Sequence, residues 1–471
     1  MVRTVPPPGP VGTPCHHDHV TAAVLPLPLR FAVRRRSGPA TITVLAIAWA
    51  WLWIADRPAQ VPWGTFLGQL VGAQSVFLMT VALVLISTLP WVETWFDGID
   101  RAAIWHRRLA ITGLLLLLPH LALSSNHDHA PIGPALGATG ALGLTALAVW
   151  SVLPRWRSVL PRQVRGMAEA LTRTPPARVL DRLIGGYDRW RLVHRLTGLF
   201  VAAGFAHGAL DATAFGGSAL LRGSYLAVGG VGVAFYAYRE LLARRFAPMH
   251  DFQVAKVTPV GPGLTEIELR PLGRRFTFIP GQFAMVFLEA KDGWHRHPFT
   301  IASAPGEGVV RVTVKALGDW TAGVAELVEP GMPAVIGGPH GRFTHRKGGP
   351  HQVWVAGGVG VTPFLSWLRS IQEHPVQAEV DFFYASSQDP VPYAAEIQTL
   401  ADRHGLRAHV VRSEVDGRLT PDLVLSRVAV APLQLSVFLC GPEGLVQAMS
   451  TGLRAAGVRS GHIHREYFTW R

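Results

Sequence analysis

Over its first half the chain gathers apolar positions into long runs. Spans near the roughly twenty residues needed to cross hydrocarbon fall at about 41–55, 67–90, 104–123, 132–153, 191–210 and 219–241, the first being short. Residues 154–190 hold eight arginines, whereas 124–134 and 208–218 hold neither Lys nor Arg, so the first stretch belongs inside and the other two outside. Arg34, Arg35 and Arg36 precede the first span, which gives a cytoplasmic amino terminus, and six crossings return the chain to that side. Pro26 and Pro28 interrupt the one earlier apolar run, so no signal peptide is expected. Residues 1–40 read as a flexible basic tail, with Cys15, His16, His17, Asp18 and His19 as part of its solvated surface.

After about residue 246 the periodicity changes. Short β-branched and aromatic runs between Gly and Pro, at 265–269, 284–288 and 309–314, predict a small antiparallel barrel. From residue 353 apolar strands at 353–356, 380–384, 407–411 and 436–440 alternate with helical stretches, the pattern of a parallel α/β sheet. The expected order is a six-span membrane α-helical bundle over 41–245, an antiparallel β-barrel over 246–347 and an α/β parallel-sheet nucleotide-binding domain over 348–471.

Composition narrows the chemistry. A hydrophobic share of 49% in 471 residues is too apolar for an ordinary soluble protein. Two cysteines are too few for a disulfide scaffold, a four-thiolate cluster or a structural zinc site. The net charge of +13 comes largely from arginines beside apolar spans, which indicates a lipid bilayer and not a nucleic acid as partner.

Ligating side chains within spans are costly and functional, and four histidines sit there in two pairs. His106 and His120 lie on span three, and His194 and His207 on span five; each pair is separated by roughly 20 Å along its helix. Both spans run outward, so His106 meets His194 at the inner level and His120 meets His207 at the outer level, where two haem irons could each take one imidazole from either side. A spacing of fourteen returns to within about 40° of one face, but thirteen leaves roughly 140°, so span five must bend or bulge, and Gly198 and Gly204 favour that. Arg107, Arg108, Arg191 and Arg195 at the inner ends are candidates for headgroups or haem propionates. His127, Asp128 and His129 read as a solvated outer loop.

In the soluble half, Gly357, Gly358, Gly360 and Thr362 follow an apolar strand and open a helix from Phe364, a turn whose amides can approach a pyrophosphate. Upstream, His297, Pro298, Phe299, Thr300, Ile301, Ala302 and Ser303 follow the turn Pro280, Gly281, Gln282. This stretch resembles the flavin-binding strand of the ferredoxin reductase superfamily in its ferric reductase and NADPH oxidase form. The resemblance implies that Thr300 contacts the isoalloxazine edge while His297 and Phe299 line the flavin. Lys315, Gly318, Asp319, Trp320 and Thr321 resemble the second flavin segment, with Gly318 to Thr321 similar to NADPH oxidases. Cys440, Gly441, Pro442 and Glu443 resemble the motif at the nicotinamide, with the thiol beside the hydride path. Trp470, near the chain's end, resembles the aromatic that covers the flavin, and His340 departs from the aromatic that relatives often carry there.

The resemblance covers nearly all of 41–471 and implies FAD, a nicotinamide and two b-type haems in a multi-pass cell-membrane enzyme with cytoplasmic FAD and NAD(P) domains. Ser386 and Ser387 stand where NAD binders present an acidic residue, and Arg412, Ser413 and Arg418 follow, which favours NADPH; Asp389 leaves NADH possible. The acceptor is a small molecule, dioxygen or a ferric chelate, and Gly318 to Thr321 tilt the reading towards superoxide formation. A metalloreductase, an anchored flavin reductase and an electron relay to a partner stay open.

Overall fold

The computed structural model describes residues 27–87, 89–123, 132–152, 187–243, 248–273 and 275–466. Trp470 and the clusters at 15–19 and 127–129 lie outside these residues. Helix α1 spans Leu27–Ala55, α2 Trp63–Leu85, α3 Pro90–Phe96, α4 Ile99–Leu123, α5 Ile132–Val152, α6 Tyr187–His194, α7 Thr197–Asp211 and α8 Ala219–Ala237. Among the described residues four helical stretches are long and apolar enough to cross a membrane: Ser37–Ala55, Trp63–Leu85, Ile132–Ser151 and Ala219–Leu242. The two histidine-bearing segments fall outside that set. In α4, Arg107, Arg108 and two histidines dilute the apolar run, and α7 has 15 residues.

Three boundaries differ from the sequence expectation. Helix α1 begins at Leu27, inside the stretch read as a tail, because helix continues through polar positions that apolarity alone does not register. The second span stops at Leu85, and Pro90, pre-set at the first helical position, starts the short α3. That helix ends at Asp97 in the left-handed region (φ 58°), followed by Gly98. The fifth span is two helices, broken at Arg195 and Leu196. The Thr197 hydroxyl donates to the His194 carbonyl (2.6 Å) and the Tyr236 hydroxyl to the Arg195 carbonyl (3.0 Å), so the break is satisfied by side chains. This is the deformation that the thirteen-residue spacing requires, placed before Gly198 instead of at Gly204.

The soluble half holds two sheets. Strands β1 Met249–Gly261, β2 Leu264–Pro271, β3 Phe283–Ala290, β4 Gly293–Thr300, β5 Val310–Lys315 and β6 Pro333–His340 form an antiparallel half-barrel in the order β4-β3-β6-β1-β2-β5. A bridge between Ile301 and Val312 draws its two edges together. Ile267, Val286, Leu288, Val312 and Ile336 alternate inward to fill it. Strands β7 His351–Gly357, β8 Glu379–Ser386, β9 Arg407–Arg412, β10 Leu435–Cys440 and β11 Ile463–Glu466 form a parallel sheet in the order β11-β10-β7-β8-β9. β10 is buried along its whole length, as a strand covered on both faces must be.

Glycine governs how the bundle packs. Gly133, Gly137, Gly140 and Gly143 lie along one face of α5, and a side chain on them would meet Asp211, the His207 ring, the Phe200 carbonyl and the Phe200 ring of α7. On α2, a Cβ at Gly72 would sit 2.7 Å from His120 Nδ1, and one at Gly68 would crowd Leu123. In hydrocarbon, where burial alone does not drive helices together, such small-residue grooves allow backbones to approach. Gly140→Val should therefore lower stability by about 1–3 kcal/mol, because its Cβ would lie 2.9 Å from the Phe200 carbonyl. Gly230→Ala, which faces open space, should not. Thermal unfolding of the purified protein followed by tryptophan fluorescence checks the contrast; equal midpoints for both variants would contradict it.

Candidate functional site

The four bundle histidines meet as two pairs. His106 and His194 have ring centres 6.4 Å apart, and His120 and His207 6.1 Å apart. With metal–imidazole bonds of about 2 Å, and about 1 Å more to each ring centre, two imidazoles on opposite sides of one metal stand about 6 Å apart. Both pairs match that spacing. The far nitrogens are also arranged for ligation: His106 Nδ1 faces the Ala82 carbonyl (2.8 Å) and His120 Nδ1 the Gly68 carbonyl (2.9 Å). His207 Nδ1 faces the Gly133 carbonyl and Asp211 Oδ2, both at 3.0 Å. These oxygens accept, so in all three rings Nδ1 is the donor, which in a neutral imidazole leaves Nε2 its lone pair. His194 stacks on Trp190 (4.9 Å), and its buried Nδ1 meets no hydrogen-bond partner among the described residues. The donor set and spacing fit a haem held between two histidines at each level. Arg195 is engaged by Glu240, while Arg107 and Arg108 are exposed and Arg108 lies over Trp105.

In the barrel, β4 alternates. His295, His297 and Phe299 share one face, where the Trp320 indole stacks on His297 at 4.8 Å and on His295 at 4.6 Å. Pro298 is exposed on the other face, and Thr300, also there, is buried. Trp320 itself packs into the barrel core, so it reaches a ligand chiefly through the histidines that it holds. The Thr321 hydroxyl accepts from the amides of Gly318 (2.9 Å) and Leu317 (3.1 Å), fixing the turn after β5.

The nucleotide loops meet at the switch point of the parallel sheet. β7 lies between β8 and β10, so chain direction across the sheet reverses beside it, and a crevice opens at the carboxyl ends of β7 and β10. Gly357, Gly358 and Gly360 cap β7; Cys440, Gly441 and Pro442 cap β10. A side chain at Gly360 would lie 2.5 Å from the Cys440 carbonyl, and one at Gly441 2.9 Å from the Gly357 nitrogen, so only glycine lets the two loops touch. Thr362, buried, donates to the Val359 carbonyl (3.0 Å) at the head of the helix α9 Thr362–Arg369. From α9, Ser366 donates to the Ser303 carbonyl (2.8 Å), Arg369 to the Ala302 carbonyl (3.0 Å) and Trp367 to the Pro280 carbonyl (3.1 Å). The helix after the glycine loop thus grips the segments that flank the flavin strand. Cys440 is fully buried, and burial, with Glu466 nearby, holds its thiol protonated well above the usual range. It pairs in register with Glu466, the last described residue.

Ser386 and Arg412 are register partners at the ends of β8 and β9. Arg412 is also tied to Asp416, which its guanidinium holds below the usual carboxylate range. Arg418 is exposed a few residues on.

Sequence reasoning missed the joint between the two halves. Glu93 of α3 accepts from the Gly341 amide (2.6 Å) and lies 3.6 Å from His340 Nδ1; Asp97 takes Lys347 Nζ at 2.7 Å. Asp97 and Lys347 are both buried, at 8% and 7% exposure. His340 thus exchanges an aromatic for a partner of Glu93. The available signal was the run of carboxylates Glu93, Asp97 and Asp100 after Pro90.

Comparison with known proteins concentrates on the soluble half. An FAD-binding domain family matches residues 249–357, and an oxidoreductase NAD-binding domain family matches residues 354–451. A flavohemoprotein of Oceanobacillus iheyensis is 27% identical over 241 residues, covering 46% of this chain and 58% of the relative. NADPH oxidase 3 of Homo sapiens is 32% identical over 174 residues, covering 33% of this chain and 30% of the relative. The chain therefore spans less than two thirds of these relatives. The FAD/NAD-binding domain of nitric oxide dioxygenase from Vibrio cholerae aligns with 46% of this chain and 97% of its own, at 22% identity and a TM-score of 0.41. Residues 249–451 accordingly pair an FAD-binding domain with an oxidoreductase NAD-binding domain.

Proposed function

We propose that this chain is a transmembrane oxidoreductase that moves electrons from NADPH through FAD and two b-type haems to an acceptor on the outer face. Dioxygen, yielding superoxide, stands ahead of a ferric chelate. The observation that carries the reading is the two histidine pairs at metal-bridging distance, one at each depth of the bundle. In this reading α4 and the α6–α7 pair join the four apolar stretches to make six spans. The inner end carries α3, on which the flavin half docks, so the FAD and NAD(P) domains and the amino terminus are cytoplasmic. The NADPH oxidase relative and the Gly318 to Thr321 segment support dioxygen.

When bound, FAD converts a nicotinamide hydride into single electrons, and haem carries them one at a time. The residues divide the remaining work. Gly357, Gly358 and Gly360 let amides approach the nicotinamide pyrophosphate, Ser386 and Arg412 receive the ribose phosphate, and Arg418 adds positive charge nearby. The neutral Cys440 thiol offers an uncharged, water-excluding wall, with Gly441 and Pro442 shaping the turn. His297 and Phe299 on one face of β4, with Thr300 at its end, would line the flavin, and His106, His194, His120 and His207 would hold the haem irons.

Two outcomes test this. His106→Leu should retain FAD and NADPH-driven reduction of a soluble dye, lose about half of the haem and drop superoxide release to background. Normal release with full haem would contradict the path. Arg412→Ala should raise KM for NADPH roughly ten- to hundredfold, the worth of one charge-assisted hydrogen bond, while KM for NADH stays put. Equal shifts for both nucleotides would remove Arg412 from the phosphate site.

A further inference from the structure

The four facing histidines are not equivalent, and the difference lies in what each far nitrogen meets. His106 Nδ1 faces the Ala82 carbonyl and His120 Nδ1 the Gly68 carbonyl, and His194 Nδ1 has no hydrogen-bond partner among the described residues. Among the described residues His207 faces a carboxylate, with Asp211 Oδ2 at 3.0 Å beside the Gly133 carbonyl at the same distance. Asp211 follows His207 by one helical turn, and its side chain is 12% exposed.

Two further features separate this contact from ordinary surface pairing. Asp211 is the last residue of α7, where the negative end of the helix dipole disfavours a carboxylate, so helix stability does not explain its place. Across the interface, a side chain at Gly133 would collide with both carboxylate oxygens of Asp211, so α5 leaves room for the group.

We propose that Asp211 is a positioning residue that acts through His207 to lower the reduction potential at the outer level relative to the inner one. The proposal rests on the di-haem reading given above. A carboxylate accepting the Nδ1 proton makes the imidazole a stronger donor to its metal. It also places a negative charge in a medium of low dielectric, where charge interactions are strong. Reduction adds one electron and removes one positive charge from the iron centre, so both effects favour the oxidised form. Electrons leaving the outer level then do so with greater reducing power, and the inner-to-outer step becomes less favourable by the same amount.

Optical redox titration of the purified full chain, following the haem bands under mediators, tests this directly. In Asp211→Asn, which keeps the shape and removes the charge, one midpoint should rise by at least a tenfold change in the reduction equilibrium, about 59 mV for a one-electron couple. The other midpoint should stay where it was. Asp211→Glu should remain close to the parent. In a His120→Leu background, Asp211→Asn should leave the remaining midpoint unmoved. Two haems with midpoints equal in parent and Asp211→Asn would overturn this proposal alone, as would a shift that persists in the His120→Leu background. A parent protein with fewer than two haems would overturn the di-haem reading along with it.

Discussion

The bundle depends on how its imidazoles are held, three by the far nitrogen and His194 by its stack on Trp190, because only a fixed ring can present the near nitrogen to a partner across the helices. The outer level solves this twice in the same way. Gly68 and Gly72 stand one turn apart on α2, as Gly133 and Gly137 do on α5. In each case the first glycine supplies the carbonyl that accepts from Nδ1, and the second leaves space for the ring. A larger residue at either second position would press on His120 or His207 and cover the carbonyl. Close packing of α4 on α2, and of α7 on α5, is therefore a condition of ligand geometry as well as of stability.

The soluble half imposes a second constraint, that the loops after β7 and β10 and the segment after β4 come together. Gly360 and Gly441 allow the carboxyl ends of β7 and β10 to touch, and α9 ties them to Ala302 and Ser303 through Arg369 and Ser366. The same half is fixed to the bundle by Glu93 and Asp97. The Asp97–Lys347 pair is buried, and removing one partner of such a pair leaves an uncompensated charge, so the joint resists separation. It lies on the chain between α2 and α4, a few residues before His106, which brings the flavin-bearing half to the inner pair and away from the outer one.

Much of this was legible in the sequence. The strands at 265–269, 284–288, 353–356 and 436–440 fall inside observed strands, because alternation and apolar runs report burial directly. The pairing of His106 with His194 and of His120 with His207 followed from counting residues along two helices that run the same way. What was not legible depends on neighbours distant in sequence. The break at Arg195 and Leu196 is satisfied by Tyr236 of another helix, and Asp211 acquires meaning only beside Gly133. The acidic joint at Glu93 and Asp97 was hidden for the same reason, since its partners lie some 250 residues further on.

The central claim, that electrons cross the bilayer through the paired histidines, is tested most directly in sealed vesicles carrying the full chain with its FAD- and NAD-binding half outward and ferricyanide trapped within. NADPH added outside should reduce the trapped ferricyanide, and His194→Leu should abolish that signal while dye reduction outside continues. Reduction confined to the outside in the parent protein, or trapped ferricyanide consumed as fast by His194→Leu, would contradict the account.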